Sequence, residues 1–304
     1  MPRAITFSRY GGADVLELSN IEVGHPGAGH ALVAVRAAGV QPSDAATRRG
    51  DFAAWNPVSF PCQLGNEFAG VIQEVGVDVD TDQVGTAVLG FQPLACLAEA
   101  LVVGVDQFVP KPDGMPWDEA GALSASGQTA DTALDTLGVH EGDTVLIHAA
   151  AGGVGSFAVQ LARVRGARVI GTASPANHQY LRDLGAIPVA YGPGLEDRVR
   201  ELAREGVSAA LDAIGGEALE ISTRLVSDPL RIGTLTDWGN ASRLGIQVIG
   251  TQRSAERLGR LVELYERGQL RVSIWKTFPL DQTAAALTAV ETGHVRGKVV
   301  VTVD

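Results

Sequence analysis

The segment His148-Ala-Ala-Ala-Gly-Gly-Val-Gly155 constrains this chain more than any other stretch. It follows Thr144-Val-Leu-Ile147, a short β-branched apolar run that predicts a buried strand. It precedes Ser156 to Arg165, apolar on most faces, which predicts a buried helix. A glycine turn between a strand and a helix is the context in which a dinucleotide fingerprint has a mechanism. Ala150, Gly152 and Gly155 fill its three small positions, with Ala in place of the first Gly. The middle glycine lets the backbone approach a pyrophosphate, whose charge meets the unpaired N–H groups of the helix start. Glycine also serves tight turns and close packing, so the flanks carry the argument. The nearly uncharged window Val145 to Val164 does not predict a membrane span. Gly152, Gly153, Gly155, His148 and Gln160 interrupt it, and each glycine costs about 1 kcal/mol in a helix relative to Ala.

The whole chain sets the frame. At 304 residues, 45% of them hydrophobic, it is long enough for two cores. A net charge of −11 with no Lys/Arg run repels phosphate backbones, so no nucleic-acid partner is expected. Cys62 and Cys96 are far apart and outside any C-x-x-C pattern, which predicts neither a disulfide framework nor a structural zinc site. The N-terminus enters strand-like sequence at once, without a charged-then-apolar signal. The expectation is a soluble cytoplasmic protein with no membrane partner.

The texture changes once along the chain. Ala31 to Ala38, Phe68 to Val75, Thr86 to Phe91 and Leu101 to Val109 are short β-type runs separated by turns, predicting a compact all-β or barrel-like unit. Pro110 to Pro116, with prolines also at 112, is a linker. After it a helix is predicted over Asp118 to Leu137, with Asp118 as N-cap. Strands 144–148, 168–172, 187–191, 209–212, 231–235 and 247–251 then alternate with helices 156–165 and 175–184 and one from Leu195. That alternation predicts an α/β fold with a doubly wound parallel sheet. Leu258, Leu261, Val262 and Tyr265 form a further helical stripe. A short Ala-rich helix capped by Asp281 precedes a last strand, Lys298 to Val303, predicted to return to the N-terminal β unit.

Five stretches carry a family resemblance: Arg36-Ala-Ala-Gly-Val-Gln-Pro-Ser-Asp44, Leu64-Gly-Asn-Glu-Phe-Ala-Gly70, Ala149 to Gly155 followed by Gln160-Leu-Ala162, Asp212-Ala-Ile-Gly-Gly216, and Gly293-His-Val-Arg-Gly-Lys-Val-Val300. With them the chain resembles the medium-chain dehydrogenase/reductase superfamily, most closely its zinc-free quinone oxidoreductase branch. The resemblance implies a GroES-like catalytic domain over 1–115 and 265–304. It implies a Rossmann dinucleotide-binding domain over 116–264.

Zinc-dependent relatives carry a Cys after the Ala-Gly-Val stretch and a His-Glu pair in the second motif. This chain has Gln41 and Asn66-Glu67 there, and 123–130 holds no Cys. Catalytic zinc needs three protein ligands, and one Glu does not supply them. The end of the second strand reads Gly171-Thr-Ala-Ser174, with no acid to hold ribose hydroxyls. A carboxylate would repel a 2′-phosphate, so its absence permits NADPH. In the resembling reductases a Ser, a Lys and a Tyr hold that phosphate. Ser174 and Tyr191 match the first and last, while His178 stands at the Lys place and Asn177 adds a hydrogen-bonding group. His178 reads equally well as a solvated helix residue.

Metal-free hydride transfer suits quinones and α,β-unsaturated carbonyls, whose developing charge falls on oxygen and needs a hydrogen-bond donor. The resemblance makes Gln41 that donor and includes Asp44 among the catalytic residues, although a local N-cap role suits Asp44 as well. It also implies cofactor contacts from Thr129, Ala151, Gly152, Gly153, Val154, Gly155, Ile214, Leu235 and Lys298. Ala46 stands where some relatives have Tyr, so no proton donor is identified. Phe52 and Trp55 suit an aromatic lid or a core. The function expected is an NADPH-dependent quinone or enone reductase. An enoyl reductase dedicated to a polyketide-type intermediate and a non-catalytic NADPH-binding protein are the alternatives. The resemblance implies a homodimer paired through edge strands of the cofactor sheets, and Leu244 to Ile249 suits that role as a long apolar edge.

Overall fold

In the computed structural model, which describes residues 1–303, the chain divides into two units. One comprises Met1–Ala125, Arg253–Glu266 and the segment from Val272; the other comprises Ser126–Gln252 and Arg267–Arg271. The first contains β1 (Arg3–Phe7), β2 (Glu17–Asn20), β3 (His30–Val40), α1 (Pro42–Arg49), β4 (Cys62–Gln63), β5 (Phe68–Val75), β6 (Ala87–Gly90), β7 (Ala100–Gly104) and β8 (Phe108–Pro110). Helix α2 (Trp117–Thr136) begins in the first unit and ends in the second. The second then alternates β9 (Thr144–Ile147), α3 (Gly153–Val164), β10 (Arg168–Ala173), α4 (His178–Leu184), β11 (Ile187–Ala190) and α5 (Leu195–Leu202). It continues through β12 (Ala209–Asp212), α6 (Glu217–Leu225), β13 (Ile232–Thr234), α7 (Trp238–Leu244) and β14 (Gln247–Val248). The chain re-enters the first unit as α8 (Ala255–Glu266), β15 (Ile274–Pro279), α9 (Thr283–Glu291) and β16 (Lys298–Thr302).

The second unit is a parallel six-stranded sheet in the order β11-β10-β9-β12-β13-β14. The order reverses direction between β9 and β12, and the glycine turn leaves the carboxyl end of β9 at that point. Ligands bind open α/β sheets at this kind of switch point. Val145, Leu146 and Ile147 are buried in succession, as a central strand covered on both faces requires. In the first unit a seven-stranded sheet runs β15-β16-β3-β5-β6-β8, with β7 also on β3, beside a three-stranded sheet β2-β1-β4. Ala31, Val33 and Val35 of β3 turn inward to a core with Phe7, Phe68 and Leu97. The last strand does return: β16 pairs antiparallel with β3, Val299 opposite Val40.

Several local expectations are corrected. The helix after the glycine turn starts at Gly153, not Ser156, so Gly153 and Gly155 belong to its first turn. Leu101 to Val109 is two strands, because a 3₁₀ turn at Val105–Gln107 intervenes and the Gln107 amide ties down Gly104 N–H and Phe91 O. The apolar edge at 244–249 is shorter than expected. Leu244 ends α7, Gly245 takes φ 68°, and only Gln247–Val248 pairs. Asp281 lies in a 3₁₀ turn, and Gln282 is the N-cap of α9. Asp118 lies inside the first turn of α2. Asp44 is the third residue of α1 rather than its cap, which is Gln41.

Candidate functional site

The turn after β9 is built around Ala149. Its carbonyl accepts Gly152 N–H at 2.9 Å, and Gly152 caps α3 with extended backbone. A Cβ at Gly155 would overlap that same carbonyl and lie 2.7 Å from Ala150 Cα. Only glycine permits α3 to pass this close. A Cβ at Gly152 would meet nothing but Ala149 O, at 3.3 Å, so its other side is open. The replacement of the first glycine by Ala150 is accommodated across the sheet, because Gly171 of β10 has no side chain where a Cβ would lie 2.8 Å from the Ala150 methyl. The first N–H groups of α3, from Gly153, Val154 and Gly155, have no partner within the helix and carry the positive end of its dipole. A pyrophosphate fits this cradle. Ala151 is nearly buried beside it.

Four other expected cofactor residues follow the carboxyl ends of neighbouring strands: Ser174 after β10, Tyr191 after β11, Ile214 after β12 and Leu235 after β13. Ala173 and Ala190 are partners in register, so Ser174 and Tyr191 leave the sheet side by side. Tyr191 is 61% exposed. Asn177 Nδ2 donates to Ser174 Oγ at 3.4 Å. His178 opens α4, and its buried Nε2 has no partner among the described residues. Asp212 shapes the next loop: its carboxylate accepts Ile214 N–H, Gly215 N–H and, at 2.6 Å, the Thr234 hydroxyl. Thr129 shares a 2.8 Å hydrogen bond with Thr251.

The first unit gathers a second set of expected residues. Asp44 Oδ2 accepts the Gln41 backbone N–H at 2.8 Å, and Oδ1 accepts Asn66 Nδ2 at 2.7 Å. Burial pushes the Asp44 carboxyl up to about 6, against the pull of these bonds and of Lys298. Glu67 Oε1 accepts the Gln41 amide and, at 2.9 Å, Lys298 Nζ, while Oε2 accepts Ala125 N–H at 2.6 Å. Gly39 leaves room for this carboxylate, which a Cβ there would overlap. Arg253 reaches Asn66 O at 3.2 Å. Two expectations shift here. The Gln41 amide was expected to face an acceptor, and it donates to Glu67. Lys298 was expected against the cofactor, and it is 2% exposed and paired with Glu67. The reason is the same for both: a wholly buried carboxylate draws in the nearby donors. Asn66 and Glu67 stand in one of the stretches that carry the family resemblance, and their spacing along the chain gives no sign of this cluster.

A parallel sheet with a glycine turn at its switch point, on a chain whose last strand returns to an N-terminal β-rich unit, defines a class: the two-part nicotinamide oxidoreductases. Residues 27–113 match the alcohol dehydrogenase GroES-like domain, and residues 184–301 match the zinc-binding dehydrogenase domain. The chain is 32% identical over 328 residues to a quinone oxidoreductase of Pseudomonas aeruginosa, covering 99% of both proteins. It is 35% identical over 291 residues to the spectinabilin polyketide synthase system protein NorB of Streptomyces orinoci, covering 90% of this chain but spanning 13% of that protein. The solved quinone oxidoreductase of Coxiella burnetii superposes with a TM-score of 0.87 at 32% identity, covering 100% of this chain and 99% of that one. The chain belongs to the medium-chain dehydrogenase/reductase superfamily, in its quinone oxidoreductase branch.

One matched domain bears the name of zinc. The donors at the corresponding place do not fit that ion: Gln41 and Asn66 are amides, and Glu67 is already neutralised by Lys298. Among the described residues no His, Cys, Asp and Glu converge as a ligand set. No helix among them is long and apolar enough to cross a membrane.

Proposed function

We propose that this protein is a cytoplasmic, zinc-independent, NADPH-dependent reductase of quinones or α,β-unsaturated carbonyls, acting by direct hydride transfer. The observation that carries the reading is the pairing of Ser174 and Tyr191 at adjacent strand ends, where Gly171-Thr-Ala-Ser174 carries no acid, on the strand beside the one that leads into the glycine cradle. The cradle suits a pyrophosphate, and the acid-free strand end suits a 2′-phosphate. Ser174, Asn177, His178 and Tyr191 are the groups offered to that phosphate. Thr129, Ala151, Gly152, Gly153, Val154, Gly155, Ile214 and Leu235 line the rest of the cofactor. NADPH supplies the hydride. Gln41 and Asp44, both in the first unit, are the catalytic residues of this proposal: Asp44 fixes the Gln41 backbone, and Glu67, held by Lys298, orients the Gln41 amide.

The test is to mix the protein with NADPH or NADH and a panel of quinones and enones, following loss of near-UV cofactor absorbance. Turnover with quinones and NADPH is expected, and none with any acceptor overturns the reading. Similarity to a polyketide synthase protein favours a second reading, an enoyl reductase of one biosynthetic intermediate. A kcat/KM for enoyl thioesters far above that for every quinone would select it. Tight NADPH binding without turnover would instead mark a structural or sensor protein.

The proposed assembly is a homodimer joined through β14. This strand is the sheet edge, and Val248 on it is 49% exposed. Sedimentation at micromolar concentration should give twice the monomer mass, and a monomer would reject it.

A further inference from the structure

The buried imidazole of His148 takes no part in the reaction above, yet both its nitrogens are engaged. Nε2 lies 3.0 Å from Ser222 Oγ on α6, and Nδ1 lies 3.4 Å from Thr172 Oγ1 on β10. The direction of each bond follows from the outer partners. The Ser222 hydroxyl donates to Ala218 O at 3.1 Å, so it accepts from His148 Nε2–H. With Nε2 protonated and the ring neutral, Nδ1 is an acceptor, so the Thr172 hydroxyl, which already accepts Ala149 N–H at 3.2 Å, donates to it. One arrangement satisfies every group: a neutral imidazole protonated on Nε2. At 1% exposure the ring is deep in the unit, and burial lowers its pKa to about 4 against the charge of Asp212.

The chain of bonds ends on the residue that shapes the cofactor turn. Ala149 has φ 51°, a left-handed conformation that is unfavourable for a residue with a Cβ. Thr172 holds it from both sides of the peptide, taking Ala149 N–H on its hydroxyl and Ala150 N–H on its carbonyl at 3.0 Å. The Ala149 carbonyl in turn sets Gly152 and is the surface against which Gly155 packs.

We infer that His148 is a positioning residue of the cofactor site: as the Nε2–H tautomer it ties Ser222 to Thr172, and the Thr172 hydroxyl holds Ala149 in the conformation that forms the pyrophosphate cradle. The inference rests on the dinucleotide reading of that cradle. Because the pyrophosphate is common to both coenzymes, the relay governs NADPH and NADH alike.

The experiment titrates the full chain with NADPH and with NADH by fluorescence, for wild type, His148→Phe, Thr172→Val and Thr172→Ser. Thr172→Val keeps the shape and deletes the hydroxyl. It should weaken both coenzymes by about the same factor, on the order of tenfold for one hydrogen bond left unmade. Thr172→Ser should restore both to within about twofold, since the hydroxyl returns. Nitrogen-15 NMR of the wild type at neutral pH should show His148 protonated on Nε2 alone. Unchanged affinities in Thr172→Val, or an Nδ1–H tautomer, would overturn the relay even if His148→Phe fails to fold. A wild type that binds neither coenzyme would remove the dinucleotide reading, and with it the positioning role.

Discussion

Lys298 Nζ and Glu67 Oε1 lie 2.9 Å apart with both side chains out of water, a salt bridge joining the last strand to the start of β5. Burying two charges costs several kcal/mol each, and their attraction offsets this only when further hydrogen bonds complete the shell. Glu67 has that shell in Gln41 and Ala125. Removing one partner strands the other. Lys298→Met should lower unfolding free energy by about 3–5 kcal/mol. Adding Glu67→Gln to it should recover a large part of that loss, because the stranded charge is gone. Urea titrations of the two variants decide this. A Lys298→Met protein within about 1 kcal/mol of wild type would show that the pair carries little.

Asp44 makes stability depend on pH. Its carboxyl is raised from 3.8 to about 6 in the folded chain, chiefly by burial. The folded state therefore holds this proton more tightly than the unfolded state does. Stability from this group is fully present below 3.8 and is lost as pH rises through about 6. Asp44→Asn has no such proton. Measured by urea midpoint, the wild type should lose ground to Asp44→Asn between about pH 4 and pH 6 and hold a constant difference above it. A difference that does not change over this window would contradict the raised value.

The cofactor unit was more legible in the sequence than the polar cluster, for a physical reason. β9 and its neighbours β10 and β12 are short runs of buried, mostly small or aliphatic residues, and the alternation with helices is local in the chain. Glycine reads as a turn, which puts the expected start of α3 at Ser156, whereas Gly153 and Gly155 lie in the helix and keep it close to Ala149. Apolar residues at 244–249 suit a longer edge strand, but Gly245 in the left-handed region ends α7 there first. Glu67 and Lys298 are 231 positions apart, and no periodicity links them. Their meeting depends on β16 lying beside β3, and sequence pattern predicted the return of that strand but not the contact.

The two glycines of the cradle should separate stability from binding. Gly155→Ala pushes a methyl into the Ala149 carbonyl and Ala150 Cα, both backbone. It should cost about 1–3 kcal/mol of stability, the usual range for overpacking. Gly152→Ala meets only Ala149 O at 3.3 Å and needs no unusual backbone angle. Its stability should stay within about 1 kcal/mol of wild type. NADPH affinity should nevertheless fall about tenfold or more, because the methyl stands where the pyrophosphate approaches. Thermal melts with and without NADPH read both effects. Equal binding by Gly152→Ala and wild type would place the cofactor elsewhere.

Coenzyme choice turns on the charge at the end of β10. Ser174 follows Ala173 there, beside the exposed Tyr191 and bonded to Asn177. Ser174→Asp places a carboxylate beside the proposed 2′-phosphate, which itself carries charge near −2. At an effective dielectric between protein surface and water, like charges about 4 Å apart repel by roughly 1–4 kcal/mol. The same carboxylate accepts hydrogen bonds from the ribose hydroxyls of NADH. The ratio of kcat/KM for NADPH to that for NADH should therefore fall by about tenfold or more, with most of the change in the KM for NADPH. The repulsion is partly screened, so the ratio should recover as salt is raised. A ratio unchanged by Ser174→Asp would mean that the phosphate does not lie at the carboxyl end of β10.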